Sequence, residues 1–479
     1  MCGIVGIMSQ TPVATELYDS LIQLQHRGQD AAGIITCDDQ LHFKTGTGLV
    51  RDIFQERHIQ RLQGTMGIGH TRYPTSGAKT GTDEVQPFWT SVPNGIAFAH
   101  NGNIVNYTQL RDLVINRRKR YLNTHSDSEM LMQLFADSLQ KRMGAQDGPA
   151  LSEEGFFGAL CGSVEELFNL AIGSMSVVSI IKDRGLVAFR DPHGIRPLVM
   201  GERVPAGGRK EYIFASEDTM FYMLGFTLVR DVEPGEVIFI SNDGQVHTRI
   251  IRKDTFNPCI FEYVYFSRPD AMMNNVSVYR ARLRMGENLG RQWKAVYGGL
   301  RPDVVIPAPS TSNTMALAMA KELGVDYSEG LHKNPFIGRT FIMADQEERR
   351  QSVRFKLVPQ RMEIQDKVVM VVDDSIVRGT TSREIVTMVR NFGARKVYFA
   401  SACPPVVCPC FYGVDIPTRE ELIASSLSIE EIRRFLDVEI LFYQDLEGLI
   451  EAVTREGDHH MDLPCHACLG GPYPCGVPL

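Results

Sequence analysis

The chain has 479 residues, 43% of them hydrophobic and 22% charged, a balance that excludes a disordered chain. With 50 Lys and Arg against 57 Asp and Glu the formal net charge is −7, without the basic excess expected of a nucleic-acid binder. The longest nearly apolar run, residues 170–181, is too short to cross a bilayer and is interrupted by serines. The start, MCGIVGIMSQ, lacks a basic segment and a long apolar run, so a cytoplasmic setting is expected. In that reducing compartment the ten cysteines read as thiols, ligands or catalysts rather than disulfides.

In chain order, the first half reads as short strands punctuated by turns. GIVGI, GIITC, MGIGHTR, GIAFAHNGNI, SVVSIIKD, LVAFRD, YIFASE and EVIFIS each join β-branched or aromatic residues to Gly, Asn or Asp. Helical patterns interrupt them in TPVATELYDSLIQLQHRG and SEMLMQLFADSLQKRM. This predicts a layered α/β domain over residues 2–251, joined to the rest by RKDTFNPCIF. Beyond it, PDVVIPAPS, KVVMVVDDS and RKVYFASA read as strands, with NTMALAMAKELG and SREIVTMVRNFG as helices between them. That alternation predicts a parallel sheet with helices on its faces over residues 252–450. From about Ile423 the pattern reads as helical, in SIEEIRRFL and DLEGLIEAV, and residues 451–479 form a tail rich in Pro, Gly and Cys.

Cys2 follows only Met1. Removing that Met would leave a thiol and a free α-amine on one residue. An α-amine, with a reference pKa of about 7.7–8.0, can take the thiol proton as general base. Alone, Cys2 reads as a small buried hydrophobe. HTRYPTSG then places Arg72, a bidentate clamp for a carboxylate, after a strand. HNGN places Asn101 and Gly102 in a turn after GIAFA, offering the amide and backbone donors that an oxyanion hole needs. SDSE opens a helix with Asp127, a partner for an ammonium. Singly these are an ion pair, a hairpin turn and a helix cap. Together they suit the gripping and attack of an α-amino acid amide.

The strongest motif is VVMVVDDSIVRGTTS (368–382): a buried strand ending in Asp373 and Asp374, a loop with Gly379, then a helix. Ligands of open α/β sheets bind beyond the strands' carboxyl ends. Backbone N–H groups at the helix start would cradle a phosphate, while the carboxylates face ribose hydroxyls or a hydrated Mg2+. Residues 333–357 are basic and aperiodic, and read plainly as a solvated loop. In the tail, CHAC (465–468) suits zinc, iron–sulfur or redox use equally.

MCGIVGI, QHRGQDAAGI, HTRYPTSG, HNGNI and SDSE resemble the N-terminal-nucleophile glutamine amidotransferases. VVMVVDDSIVRGTTS resembles the phosphoribosylpyrophosphate (PRPP) motif of type I phosphoribosyltransferases. The likeness spans nearly the whole chain and implies an N-terminal-nucleophile αββα sandwich followed by a phosphoribosyltransferase parallel-sheet domain. It implies Cys2 as nucleophile, with Asn101 and Gly102 at the oxyanion hole. Arg72 and Thr75 would hold the glutamine carboxylate, Asp127 its α-amine, and Arg27 would order the site. Tyr73 resembles a residue connecting glutamine binding to the second half.

For PRPP, the resemblance implies Asp373, Asp374, Arg378, Gly379, Thr380, Thr381 and Ser382 around the ribose and 5-phosphate. VIPAPSTS (305–312) takes the place of the pyrophosphate loop, with Thr311 joining Asp373 and Asp374 near Mg2+. Relatives commonly carry an acidic residue where Ser310 stands. Residues 333–357 would be a loop closing over PRPP, with Arg339, Arg354 and Lys356 facing its anionic groups. Cys259, Cys410, Cys465 and Cys468 resemble the thiolate ligands of a [4Fe–4S] cluster in one branch of the family; another branch lacks it. Cys403, Cys408 and Cys475 are alternatives, and His459, His460 and His466 leave zinc open.

The combination implies hydrolysis of glutamine at Cys2 and transfer of ammonia to PRPP. The products would be 5-phosphoribosylamine, glutamate and pyrophosphate, at the first committed step of purine synthesis. Purine nucleotides are the implied feedback inhibitors and a homo-oligomer, dimer or tetramer, the implied assembly. Two rivals are a PRPP-sensing regulator without catalysis and an amidotransferase serving another acceptor. The full amidase set opposes the first, and DDSIVRGTTS the second.

Overall fold

Alternation along the strand Gly3–Met8 sends its side chains two ways. Ile4 packs between two sheets, while Val5 and Ile7 pack under the helix Ala14–Gln23. The structure, a computed structural model, describes residues 2–73, 84–144, 151–334, 357–416, 418–455 and 461–476.

Gly3–Met8 lies centrally in a seven-stranded antiparallel sheet, between Glu211–Ala215 and Met66–Arg72. Ala31–Cys37 and Leu41–Thr47 continue it on one side, Val199–Arg203 and Thr227–Asp231 on the other. A six-stranded antiparallel sheet stacks on it, in the order Val246–Ile250, Glu236–Ser241, Gly185–Arg190, Gly173–Ile181, Ile96–Ile104, Phe88–Thr90. Ile35, Ile68, Ala99, Ile180 and Ile240 fill the space between the sheets. The helices Asp127–Gly144 and Glu153–Leu170 cover the second sheet's outer face through Phe135, Phe156 and Leu160, completing an αββα sandwich.

The second half carries a five-stranded sheet in the order Asp326–Tyr327, Val304–Pro307, Val368–Asp373, Lys396–Ser401, Ile440–Tyr443, with all neighbours parallel. Met370 and Val372 face the helices Val278–Tyr297 and Asn313–Leu323. Val369 and Val371 face Thr380–Asn391 and Ile429–Leu436. Burial on both faces explains the nearly continuous apolar run of the central strand. No described helix is long and apolar enough to cross a membrane.

The structure corrects the sequence reading at several places. Asn101 and Gly102 are not in a turn: the strand runs on to Ile104, pairing Asn101 with Ser176 and Gly102 with Met175. Ile440–Tyr443, inside the stretch read as helical, is the sheet's last strand. The helices Glu153–Leu170 and Val278–Tyr297 were not expected.

Candidate active site

Cys2 sits immediately before the central strand, half-buried, and its thiol donates to the Tyr73 carbonyl at 3.8 Å. Its N–H meets Asn101 Oδ1 at 3.3 Å. Asn101 is 1% exposed, and its Nδ2 has no hydrogen-bond partner among the described residues. A buried amide donor without a partner is costly unless something accepts from it. Here it stands beside the thiol, where an oxyanion would form. Arg27, fully buried, donates from Nε to the Cys2 carbonyl at 3.0 Å. Its other nitrogens bind Glu217 at 2.5 Å and Glu262 at 2.9 and 3.1 Å. Burial opposes the Arg27 charge, but the two carboxylates hold its pKa above the ordinary value. Burial alone would raise Glu217; His26 and Arg27 hold it down at about 2.

Arg72 ends the strand Met66–Arg72 and pairs with Glu84 at 2.5 Å, so its fork already faces a carboxylate. Asp127 opens its helix as expected; Oδ2 accepts from the Ile104 N–H at 3.1 Å and Oδ1 from Ser128 Oγ at 3.2 Å. His100 orders this corner, with Nδ1 at 3.0 Å from Ser128 Oγ. Thr75 lies outside the described residues. Glu84, Glu217 and Glu262 were not singled out from sequence; Glu262 stands three residues after Cys259 without a motif of its own.

At the second site Asp373 ends its strand and Asp374 begins the loop, 8% exposed. Burial and the neighbouring Asp374 push the Asp373 carboxyl well up. Burial raises Asp374 to about 6, against the lowering pull of its Ser375 hydrogen bond and of Arg282. Gly379 adopts φ +74°, a conformation suited to glycine, and a Cβ there would meet Ile423 Cδ1 at 2.7 Å. Thr380, Thr381 and buried Ser382 form the first turn of the following helix, with its N–H groups at the loop. Arg378 instead pairs with Glu421 at 2.8 Å on the surface. Ser310 is exposed and Thr311 half-buried, in the loop after Val304–Pro307. Arg339, Arg354 and Lys356 lie outside the described residues.

Cys259, Cys410, Cys465 and Cys468 all line one largely enclosed cavity with Arg196, Phe261, Tyr412 and Tyr473. Cys259 and Cys465 face each other across a parallel β-bridge, and the Val407 and Cys408 N–H groups bind the Cys468 carbonyl at 2.9 and 3.1 Å. Burial pushes the Cys259 thiol up to about 11 and raises Cys465 and Cys468 too. Among the described residues, no group of three or more His, Cys, Asp or Glu is arranged to hold a metal ion, here or beside Thr311 and the Asp pair. The four thiols surround a space rather than converging on a point. Cys403, Cys408 and Cys475 do not line it. His466 binds the Pro464 carbonyl through Nδ1 at 2.8 Å, and His459 and His460 lie outside the described residues.

A cysteine at the edge of a paired αββα sandwich, coupled to an acidic strand end above a helix N-terminus, defines a glutamine amidotransferase fused to a phosphoribosyl-transferring unit. A family model described as a glutamine amidotransferase domain matches residues 78–223. The chain is 49% identical over 455 residues to the amidophosphoribosyltransferase of Pseudomonas aeruginosa, covering 95% of this chain and 89% of that one. It is 47% identical over 468 residues to that of Escherichia coli K12, covering 97% and 91%. The glutamine PRPP amidotransferase of B. subtilis, solved in complex with ADP and GMP, matches with a TM-score of 0.84 at 36% identity, covering 99% of this chain and 97% of that one. The chain belongs to the amidophosphoribosyltransferases, glutamine-dependent glycosyltransferases of purine biosynthesis.

Proposed function

We propose that the Cys2 thiolate attacks the side-chain amide carbon of glutamine once Met1 is removed, its own α-amine taking the thiol proton. A thioester forms, ammonia leaves, and water releases glutamate. Asn101 Nδ2 and the Gly102 N–H receive the developing oxyanion. Arg72 exchanges Glu84 for the glutamine carboxylate, aided by Thr75, while Asp127 receives the α-ammonium and Arg27 fixes the nucleophile strand. Ammonia then passes internally and displaces pyrophosphate from C1 of PRPP. The single observation that carries this reading is the buried, unpartnered Asn101 amide beside the thiol.

In the second half, the loop of Gly379 with Thr380, Thr381 and Ser382 takes the 5-phosphate, and Asp373 and Asp374 take the ribose hydroxyls. Arg378 would leave Glu421 to join them, and Arg339, Arg354 and Lys356 would meet the pyrophosphate. Thr311 and the Asp pair would hold Mg2+, which when bound neutralises pyrophosphate charge. The uncompensated burial of two carboxylates fits a cation there. A purine nucleotide regulator, a homo-oligomer and a cytoplasmic setting complete the reading; the B. subtilis relative was solved with ADP and GMP.

Cys259, Cys410, Cys465 and Cys468 would hold a [4Fe–4S] cluster, which when bound supplies a rigid, anionic cross-link and no step of the reaction. Four thiols spread around one cavity suit the corners of a cluster better than tetrahedral zinc, whose four sulfurs crowd one ion at about 2.3 Å. The test of the whole is pyrophosphate release from PRPP, measured with glutamine and again with ammonia. Release with both nitrogen sources is expected; release with neither would overturn the reading.

A further inference from the structure

Two separate routes run from the four cysteines to the glutamine site, and the chemistry above uses neither. In the first, buried Arg196 lines the cysteine cavity and donates to the Tyr412 carbonyl through Nε at 2.6 Å and through Nη2. Its Nη1 lies 3.5 Å from Glu262 Oε1. Arg27 Nη2 donates to that same oxygen at 2.9 Å, and Arg27 Nε holds the Cys2 carbonyl at 3.0 Å. In the second, the turn that carries Cys410 lies on the strand of the oxyanion donors. Asn103 Nδ2 donates to the Phe411 carbonyl at 2.9 Å and Ser174 Oγ to the Tyr412 carbonyl at 3.0 Å. Gly413 comes so close that a Cβ there would stand 2.9 Å from the Gly102 carbonyl oxygen.

We infer that the four-cysteine site positions the glutamine site, with Glu262 as the positioning residue that shares one carboxylate oxygen between Arg196 and Arg27. The inference deepens the cluster reading above and rests on it. Its physics is competition for a buried oxygen. Beside an anionic cluster, the Arg196 charge is divided between the thiolates and Glu262. With that anion gone, the whole charge turns to Glu262, in an environment where such attractions are strong. Ser267 Oγ already occupies Glu262 Oε2 at 2.9 Å, which leaves Arg27 little room to retreat. A loosened Arg27 releases the Cys2 carbonyl, and the nucleophile drifts from its attack position. The phosphoribosyl chemistry, at a different strand end, does not depend on this chain of contacts.

The test compares Glu262→Gln with the unaltered chain, both purified without oxygen and assayed for iron. Glutamine-dependent synthesis should fall by about tenfold or more, chiefly in kcat, while ammonia-dependent synthesis stays within about twofold. The variant should keep the visible absorption of the cluster, and the cluster's reduction potential should rise, because a negative charge beside Arg196 has been removed. Should Glu262→Gln not fold, Arg196→Lys, which keeps the charge and loses the fork, is read by the same measurements. Unchanged potential and unchanged glutamine kinetics in iron-containing protein would overturn this inference and leave the cluster reading intact. Equal loss with both nitrogen sources would do the same. An unaltered chain that is stable and active without iron would overturn both.

Discussion

Around Cys2 the buried charges are matched. Arg27 meets Glu217 and Glu262, His26 meets Glu217, and Arg196 approaches Glu262. At the end of Val368–Asp373 two carboxylates stand side by side with Arg282 as the nearest cation acting on them, and both are pushed upward. A matched network holds its geometry before any ligand arrives, at the cost of desolvating several ions. An unmatched pair leaves a demand for positive charge that a ligand must meet. The first arrangement suits a nucleophile that must already be aimed; the second suits a site assembled around a metal-bearing, highly anionic substrate.

The largest effect should come from Cys2→Ser. Glutamine-dependent synthesis should drop on the order of 10³-fold or more, since an alcohol is a far poorer nucleophile than a thiolate. Ammonia-dependent synthesis should persist, and parallel loss of both in folded protein would erase the distinction between the halves. Next comes the double variant Asp373→Asn with Asp374→Asn, in which both routes to product should fall by about 10²-fold or more. Glutamine hydrolysis should remain measurable, and unchanged PRPP kinetics would break the comparison.

The acidic pair also sets a pH dependence. Asp374, raised from 3.8 to about 6, holds its proton more tightly folded than unfolded. Its contribution therefore favours the folded state at low pH and is lost as pH rises through about 6. Cation and PRPP binding should run the opposite way, strengthening as pH rises through that range. Titrating PRPP affinity with and without Mg2+ between acid and neutral pH checks this. The smallest effect expected is that of Gly379→Ala, where a side chain at φ +74° costs about 1–2 kcal/mol. A rise of roughly tenfold in the KM for PRPP, with glutamine hydrolysis unaltered, would sharpen the contrast.

The two sites also differ in how plainly sequence shows them. VVMVVDDSIVRGTTS is contiguous, so strand, acids, loop and helix appear together and their chemistry can be read directly. The glutamine site draws on residues 2, 27, 72, 101 and 127, whose convergence depends on antiparallel pairing over long separations. There the resemblance supplied what spacing could not. Asn101 and Gly102 read as a turn because of their residue types, yet ladder pairing with Gly173–Ile181 carries the strand through them. Thr227–Asp231 and Val246–Ile250 escaped notice because they are largely exposed edge strands without apolar alternation. Val278–Tyr297 was hidden by polar residues that it buries, among them Arg282, Arg284 and Asn288. Glu262 and Arg196 had no local signal, because their meaning lies in whom they meet.

The place of Gly3–Met8 in the middle of its sheet bears on how the protein is made. The first strand to be synthesised must wait for Met66–Arg72 on one side and for Glu211–Ala215 on the other. Its Ile4 N–H finally binds Ser216 Oγ, 212 residues away. The cysteines at 465 and 468 arrive later still, and so do their contacts with the segment around Cys259. During translation, therefore, the reactive thiol is present from the start but remains unaimed for most of the chain's growth. A nascent polypeptide cannot split glutamine before the partner half that consumes the ammonia has nearly emerged from the ribosome.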